Sequence, residues 1–104
     1  PERILGADKA PDPHIWFDVS LWRELADRVA EVLVAFDPEG EEGYRERHKA
    51  TVARLETLHA WVKHEIARIP AERRVLVTAH DAFRYFGRAY GIEVRGIQGI
   101  STES

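Results

Sequence analysis

The stretch that decides the fold is RVLVTAHDAFRYFGRAYGIEVRGI, residues 74–97. Its first six residues, 74–79, are mostly apolar and β-branched, which is typical of a buried strand. A helical pattern follows over 82–90, and Gly91 suits the position just after a helix C-terminus. Residues 92–97 have the pattern of a second strand. The stretch therefore predicts a β-α-β unit.

A first helix is predicted upstream of this unit, over residues 21–36, where apolar side chains recur every three or four positions. Asp18 or Ser20 is available as its N-cap, and Asp37-Pro38 stops it. Residues 1–19 are broken by two prolines and are expected to form an extended, looping segment. We expect this segment to be anchored on the apolar face of the helix by two tryptophans, Trp16 and Trp22.

A second, much longer helical pattern runs from Gly40 to Ile69 and ends at Pro70. A helix of this length extends for about 40 Å, which is longer than a small domain is wide. It is therefore expected to bridge two packing units. The predicted fold class is α/β, with an extended segment and a helix first, then one long backbone helix, then the β-α-β unit. The expected division is 1–39, 40–70 and 71–104.

Composition narrows the range of functions. The chain has 104 residues, 15 Lys and Arg against 18 Asp and Glu, and a net charge of -3. No basic cluster is present, so neither nucleic acid nor an anionic membrane surface is an expected partner. No apolar stretch approaches the length needed to span a bilayer, so no membrane insertion is expected. Because the chain has no cysteine, a metal site would need histidine and carboxylate ligands.

The five histidines separate by context. His48, His59 and His64 lie on the long helix among charged residues, where a solvated side chain is expected. His14 lies in a proline-stiffened loop, and His80 lies where the first strand of the β-α-β unit ends, which is where open α/β sheets place ligands. From the residues alone, both could equally be structural, His14 as a packed loop residue and His80 as a helix cap.

Several short motifs, in this order along the chain, resemble the metal-binding solute-binding proteins of zinc and manganese ABC importers, the TroA-like family. They cover nearly the whole chain and are Asp12–Asp18 (DPHIWFD), Phe36–Pro38 (FDP), Tyr44, Val77–Phe86 (VTAHDAFRYF), Tyr90-Gly91 and Gly96–Glu103 (GIQGISTE). One departure is Val19, where family members typically carry proline.

The resemblance implies two α/β lobes joined by one long rigid helix, with a divalent metal held between them. It implies that His14 is a ligand from the first lobe and His80 a ligand from the second. The metal would be zinc or manganese, and the residues do not separate the two. The intact protein would be a periplasmic or membrane-anchored extracellular receptor, not an enzyme, that delivers the ion to an ABC permease.

The resemblance also implies two further ligands, a histidine upstream of Pro1 and an acidic residue downstream of Ser104. We therefore expect the chain to be a central fragment of such a protein, lacking the signal segment. Two imidazoles fill half of a tetrahedral zinc shell. Metal binding by this chain alone should be weak. Its affinity should decrease as the pH is lowered, because a protonated imidazole cannot bind a metal ion. Water, Glu103 or groups from another chain would complete the shell.

Two rival functions come from other classes. The first is a helical protein-protein interaction module with no metal role, in which the apolar stripe of the long helix packs on a partner and both histidines are structural. The second is a small metallohydrolase that would use three ligands, His14, His80 and Asp81, with Glu103 as the general base. Metal titration separates the three hypotheses. An interaction module leaves the metal unbound, a receptor binds it without turnover, and a hydrolase shows both binding and turnover.

Self-association is also expected. A two-stranded sheet has open edges that tend to pair with another chain. The apolar stripe of the long helix also needs cover that a chain of this size can hardly provide; it contains Leu55, Leu58, Val62 and Ile66. We therefore expect a homo-oligomer, most simply a two-fold dimer, that buries this stripe.

Overall fold

The computed structural model describes residues 2–6 and 8–98. Three helices and a two-stranded parallel sheet form its framework, which confirms the α/β class. In chain order the elements are α1 (Val19–Phe36), α2 (Glu41–Ala67), β1 (Val75–His80), α3 (Arg84–Tyr90) and β2 (Glu93–Gln98). Short 3₁₀ turns lie at Ile15–Phe17, Pro38–Gly40 and Ala71–Arg73. None of the described helices is long and apolar enough to cross a membrane.

Helix α1 begins two residues earlier than the periodicity predicts, and Asp18 is its N-cap. The Asp18 carboxylate accepts hydrogen bonds from the Ser20 backbone N–H at 3.0 Å and from the Ser20 hydroxyl at 2.6 Å. It thereby satisfies one of the N–H groups that a helix start leaves without an internal partner. Asp18 is buried, so the cap also fixes where the preceding loop meets the helix.

A tight corner joins α1 to α2. Pro38 opens the 3₁₀ turn between them, and the Tyr44 hydroxyl donates to the Asp37 carboxylate at 2.8 Å. A side chain at Gly40 would meet the Tyr44 ring at 2.6 Å, so the turn has no space for a Cβ. The two helices then run together and are tied by His48 and Asp27, whose Nε2 and Oδ1 lie 2.7 Å apart.

Helix α2 spans 27 residues, which corresponds to about 40 Å. It contains no fully buried residue. Its first half contacts α1, and its second half contacts α3. The helix ends before Pro70, as predicted. Its length is thus used to connect the two halves of the described chain.

The C-terminal part is the predicted β-α-β unit. β1 and β2 pair in parallel with Val75 opposite Glu93, and Thr78 opposite Gly96. Gly91 ends α3 in the left-handed conformation, with φ of 74°, a geometry that glycine adopts without a steric penalty. α3 starts two residues later than predicted, because the residues after β1 form a turn in which the Ala82 N–H donates to the His80 carbonyl at 3.0 Å.

The small core lies where the N-terminal segment, the start of α1 and α3 meet. Its buried hydrophobic residues include Val19, Ala82, Tyr85 and Tyr90. The expectation that two tryptophans are buried anchors is wrong. Trp16 is 46% exposed and Trp22 is 44% exposed, and the buried aromatic side chains among the described residues are Tyr85 and Tyr90 of α3.

Candidate metal site

His14 is held by a buried carboxylate two residues before it. Its backbone N–H donates to Asp12 Oδ1 at 3.0 Å, and its ring Nδ1 lies 2.6 Å from the same oxygen. The Asp12 side chain is fully buried, and its backbone N–H donates to the Ile4 carbonyl at 2.8 Å. A carboxylate on Nδ1 keeps the proton there, so the Nε2 lone pair is the one left free to bind a ligand.

His80 is the last residue of β1 and is exposed. Its carbonyl oxygen accepts two hydrogen bonds, one from the Thr78 hydroxyl at 2.8 Å and one from the Ala82 N–H at 3.0 Å. The backbone at the end of the strand is therefore fixed. The imidazole projects from that fixed point at the carboxyl end of the sheet, the edge at which parallel sheets bind ligands.

The two imidazoles come together, although 66 positions separate them in the sequence. Their ring centroids are 5.3 Å apart and the ring planes cross at 79°. Zinc–nitrogen bonds of about 2.0–2.1 Å and a tetrahedral angle put the centroids of two imidazoles on one Zn²⁺ about 5.2 Å apart. The observed separation of His14 and His80 is therefore compatible with their binding a common ion.

Aromatic contacts surround this pair. The Trp16 ring meets His14 edge-on at a centroid distance of 5.4 Å. Behind it Phe17, from the N-terminal half, stacks on Phe83, from the β-α-β unit, at 4.5 Å and 27°. Stacked aromatic rings are favourable beyond their buried area. This contact holds together the two chain segments that carry the histidines.

Among residues 2–6 and 8–98, no group of three His, Cys, Asp or Glu side chains lies close enough together to hold a metal ion. The pair His14 and His80 is what the described chain brings together. Asp81, considered as a third ligand of a hydrolase site, is buried and bound to Arg84. Glu103, its proposed general base, lies outside the described residues.

Two of the remaining three histidines have structural roles that their sequence context did not predict. His48 pairs with Asp27, and the His59 Nδ1 lies 2.9 Å from the Tyr90 hydroxyl. Both are half-buried, so the expectation that they are solvated is wrong. Their partners are on other helices, which a pattern within α2 cannot reveal. His64 is exposed, as expected.

Sequence reasoning also missed the contacts that join α3 to the N-terminal segment. Tyr85 accepts a hydrogen bond from the Ile4 N–H at 2.9 Å, and Arg84 and Arg88 donate to the carbonyls of Leu5 and Glu2 at 3.0 and 2.6 Å. These bonds join residues about eighty positions apart in the chain. For Asp12 a local signal existed, because aspartate often binds the backbone N–H two residues on.

Comparison with known proteins identifies the family of the chain. The family model for the periplasmic zinc-uptake complex component A, ZnuA, matches residues 2–104. The zinc-binding protein TroA of Treponema pallidum (strain Nichols) is 50% identical over 93 residues, which are 89% of this chain and 30% of that protein. The manganese-binding lipoprotein MntA of Bacillus subtilis (strain 168) is 43% identical over 99 residues, which are 95% of this chain and 32% of that protein.

A solved structure gives the same result for the fold. The periplasmic zinc-binding protein TroA from Treponema pallidum superposes with a TM-score of 0.91 at 47% identity, over 99% of this chain and 37% of that chain. The chain spans about a third of the length of the curated relatives it matches. The family model matches residues 2–104, and the chain therefore belongs to the ZnuA family of periplasmic zinc-uptake components.

Proposed function

We propose that this chain supplies two ligands, His14 and His80, to a divalent-metal site in a solute-binding protein of an ABC importer. The observation that carries the proposal is the 5.3 Å separation of the two imidazoles, together with the Asp12 carboxylate on Nδ1 of His14. A histidine ligand is commonly oriented in this way, with its second nitrogen bound to a carboxylate. Binding and release of the ion, without turnover, is then the whole chemistry of the site.

The cargo is zinc or manganese. Neutral imidazoles are good ligands for Zn²⁺ and acceptable ligands for Mn²⁺, whereas carboxylates and water favour Mn²⁺, the harder ion. The relatives include one named as zinc-binding and one named as manganese-binding. The two positions left in a tetrahedral shell would be filled by water, by Glu103 or by groups of another chain segment.

The architecture supports a site shared between two lobes. In this proposal residues 1–39 belong to the first lobe, 40–70 form the linking helix, and 71–104 begin the second lobe. His14 then comes from the first lobe and His80 from the second. An ion bound by both histidines would lie in the cleft between the two lobes. An ABC permease would receive the ion from that cleft.

The proposed location is outside the cytoplasmic membrane, periplasmic or held at the cell surface by a lipid anchor. The matching family model is described as periplasmic. Several relatives are named as lipoproteins, among them the Streptococcus pneumoniae manganese ABC transporter substrate-binding lipoprotein PsaA.

Isothermal calorimetry with Zn²⁺ and with Mn²⁺ tests the proposal. The wild-type chain should bind one ion, and each of His14→Ala and His80→Ala should lose most of that affinity. His64→Ala is the matched control, because His64 is exposed on α2 and has no place in the proposed site. Unchanged zinc binding in both His14→Ala and His80→Ala would remove the assignment.

We also propose that the chain associates with itself when isolated. Large apolar side chains remain exposed on both long helices, including Val32 at 61%, Phe36 at 88% and Trp61 at 59%. Of the stripe residues on α2, Leu58 is 44% exposed, whereas Leu55, Val62 and Ile66 are half-buried. An interface with a second copy would cover the exposed apolar side chains. Light scattering at micromolar concentration should give about twice the 11.9 kDa chain mass. A monomer mass with a melting temperature independent of concentration would contradict this.

A further inference from the structure

One arginine touches both chain segments that carry the proposed ligands. Arg84 is the first residue of α3, and its Nε and Nη2 both donate to Asp81 Oδ2, at 2.9 and 2.6 Å. Its remaining nitrogen, Nη1, donates to the Leu5 carbonyl at 3.0 Å. Asp81 directly follows His80, and Leu5 lies in the N-terminal segment that leads to His14. A single guanidinium thus links the two.

The charge of the carboxylate that holds His14 also acts on this guanidinium. One oxygen of Asp12 is occupied by His14, and the other, Oδ2, is buried without a hydrogen-bond partner among the described residues. The pKa of Arg84 is raised above its ordinary value, first by the hydrogen bonds to Asp81 and then by the charges of Asp81 and Asp12, against a lowering by burial. The charge of Asp12 is the smallest of these effects, so the direct contacts of Arg84 are those with Asp81 and with the Leu5 carbonyl.

Asp81 has little freedom to move away from this arginine. A Cβ at Gly96 of β2 would lie 2.6 Å from the Asp81 Cβ and 3.0 Å from its Cα. The backbone of Asp81 is thus pressed against the second strand at a position where only glycine leaves space. Arg84 binds the carboxylate of the same residue, so the residue next to His80 contacts both β2 and α3.

We propose that Arg84 is a positioning residue that holds His14 and His80 at the separation needed to bind one ion. The role rests on the proposed function, because it assumes that both histidines are ligands. An arginine suits it because its planar guanidinium offers several donors in a fixed fork, whereas lysine presents one charged point. Asp81 and the Leu5 carbonyl then share one cation.

The neighbouring Arg88 provides a matched control. It also lies on α3 and also ties the N-terminal segment, donating from Nη1 to the Glu2 carbonyl at 2.6 Å, and it lies over the Tyr85 ring at 4.9 Å. It makes no hydrogen bond with Asp81 or Asp12. A variant at Arg88 therefore weakens the same attachment without removing the cation that binds Asp81.

The experiment compares Arg84→Lys, Arg84→Gln and Arg88→Gln by two measurements. The first is the Zn²⁺ affinity by calorimetry, which should fall about 10- to 100-fold in both Arg84 variants, as is usual when a residue that orients a metal ligand is changed. Affinity should be unchanged in Arg88→Gln. The second, made without metal, is the nuclear Overhauser cross-peak between the His14 and His80 rings, which should be strong in the wild type and in Arg88→Gln and weak in both Arg84 variants.

Failure of this inference and failure of the proposed function give different results. If the wild type binds no zinc, the ligand assignment fails, and the metal-free cross-peak still decides what Arg84 does. If His14→Ala and His80→Ala lose zinc while the Arg84 variants bind it like the wild type and keep the cross-peak, Arg84 has no positioning role. Equal losses in Arg84→Lys and Arg88→Gln would also overturn the inference, since attachment of the segment alone would then explain them. Should Arg84→Gln fail to fold, Arg84→Lys, which keeps the charge, decides.

Discussion

Replacing Tyr90 by phenylalanine removes one oxygen atom that joins three parts of the chain. The Tyr90 hydroxyl on α3 accepts a hydrogen bond from the Val19 N–H at the start of α1, at 3.1 Å, and lies 2.9 Å from Nδ1 of His59 on α2. Tyr90 is 7% exposed and Val19 is 9% exposed. The variant keeps the ring and its packing, so its effect isolates the hydroxyl.

The expected loss follows from the burial of the two partners. The Val19 N–H has no helical partner of its own, and leaving a buried donor unsatisfied costs about 1–3 kcal/mol. His59 is half-buried, so water replaces most of its lost contact. We expect a total of about 2 kcal/mol, which lowers the melting temperature of a domain of this size by about 10 °C.

Tyr85→Phe is the comparison variant. Among the described residues, the Tyr85 hydroxyl accepts only the Ile4 N–H, at 2.9 Å, and Ile4 is half-buried. Water can therefore take over that donor, and the loss should be about 1 kcal/mol. Urea and thermal melts of both variants measure the difference. A Tyr90→Phe protein as stable as the wild type, or more stable than Tyr85→Phe, would refute the claim that this hydroxyl joins α1, α2 and α3.

Two further predictions follow from the same contacts. Burial raises the pKa of Tyr90. The stabilisation by the neutral Tyr90 hydroxyl is therefore complete below the pKa of unfolded tyrosine, about 10, and is lost as the pH rises through the folded pKa. Urea melts from pH 8 to 11 should show a steeper fall in unfolding free energy for the wild type than for Tyr90→Phe, and equal slopes would contradict this. Gly96→Ala should destabilise the chain by about 1–3 kcal/mol, because the new methyl group collides with Asp81. The control Gly43→Ala, on α2, should be neutral or stabilising, since its Cβ meets only the flexible end of Arg47 at 3.1 Å; equal losses in the two variants would mean that the contact with Asp81 is unimportant.

Local patterns in the sequence were sufficient for most of the fold. Apolar spacing predicted both long helices within a few residues, because the apolar side chains on one face of a helix recur every three or four positions. Gly91 was predicted at the end of α3 because the left-handed conformation there is easiest for glycine. The start of α3 was missed by two residues, because the turn after β1 is closed by a backbone bond to His80 that no side-chain pattern encodes.

Contacts between distant segments were not predictable in the same way. His48 and His59 were expected in solvent because their neighbours on α2 are charged, yet each is held by a residue on another helix, Asp27 or Tyr90. The bond from Arg84 to the Leu5 carbonyl spans 79 positions. Such pairs depend on how the elements pack, which periodicity within one element does not specify.

The candidate site combines both cases. The Asp-Pro-His sequence around His14 is local, and an aspartate two residues before a histidine is well placed to bind its backbone. That His80 meets His14 depends on the packing of the β-α-β unit against the N-terminal segment. The resemblance to a known family singled out both residues as ligands, and the spacing of residues alone would have left them as possible structural histidines.

The most direct test of the central claim is anomalous X-ray scattering from crystals of the chain grown with Zn²⁺, measured on both sides of the zinc absorption edge. The account predicts one anomalous peak between the two imidazoles, at about 2.0–2.1 Å from a ring nitrogen of each of His14 and His80. Because Asp12 occupies Nδ1 of His14, the bound nitrogen of that ring should be Nε2. Zinc bound at His64 or at surface carboxylates, with no peak between His14 and His80, would contradict it.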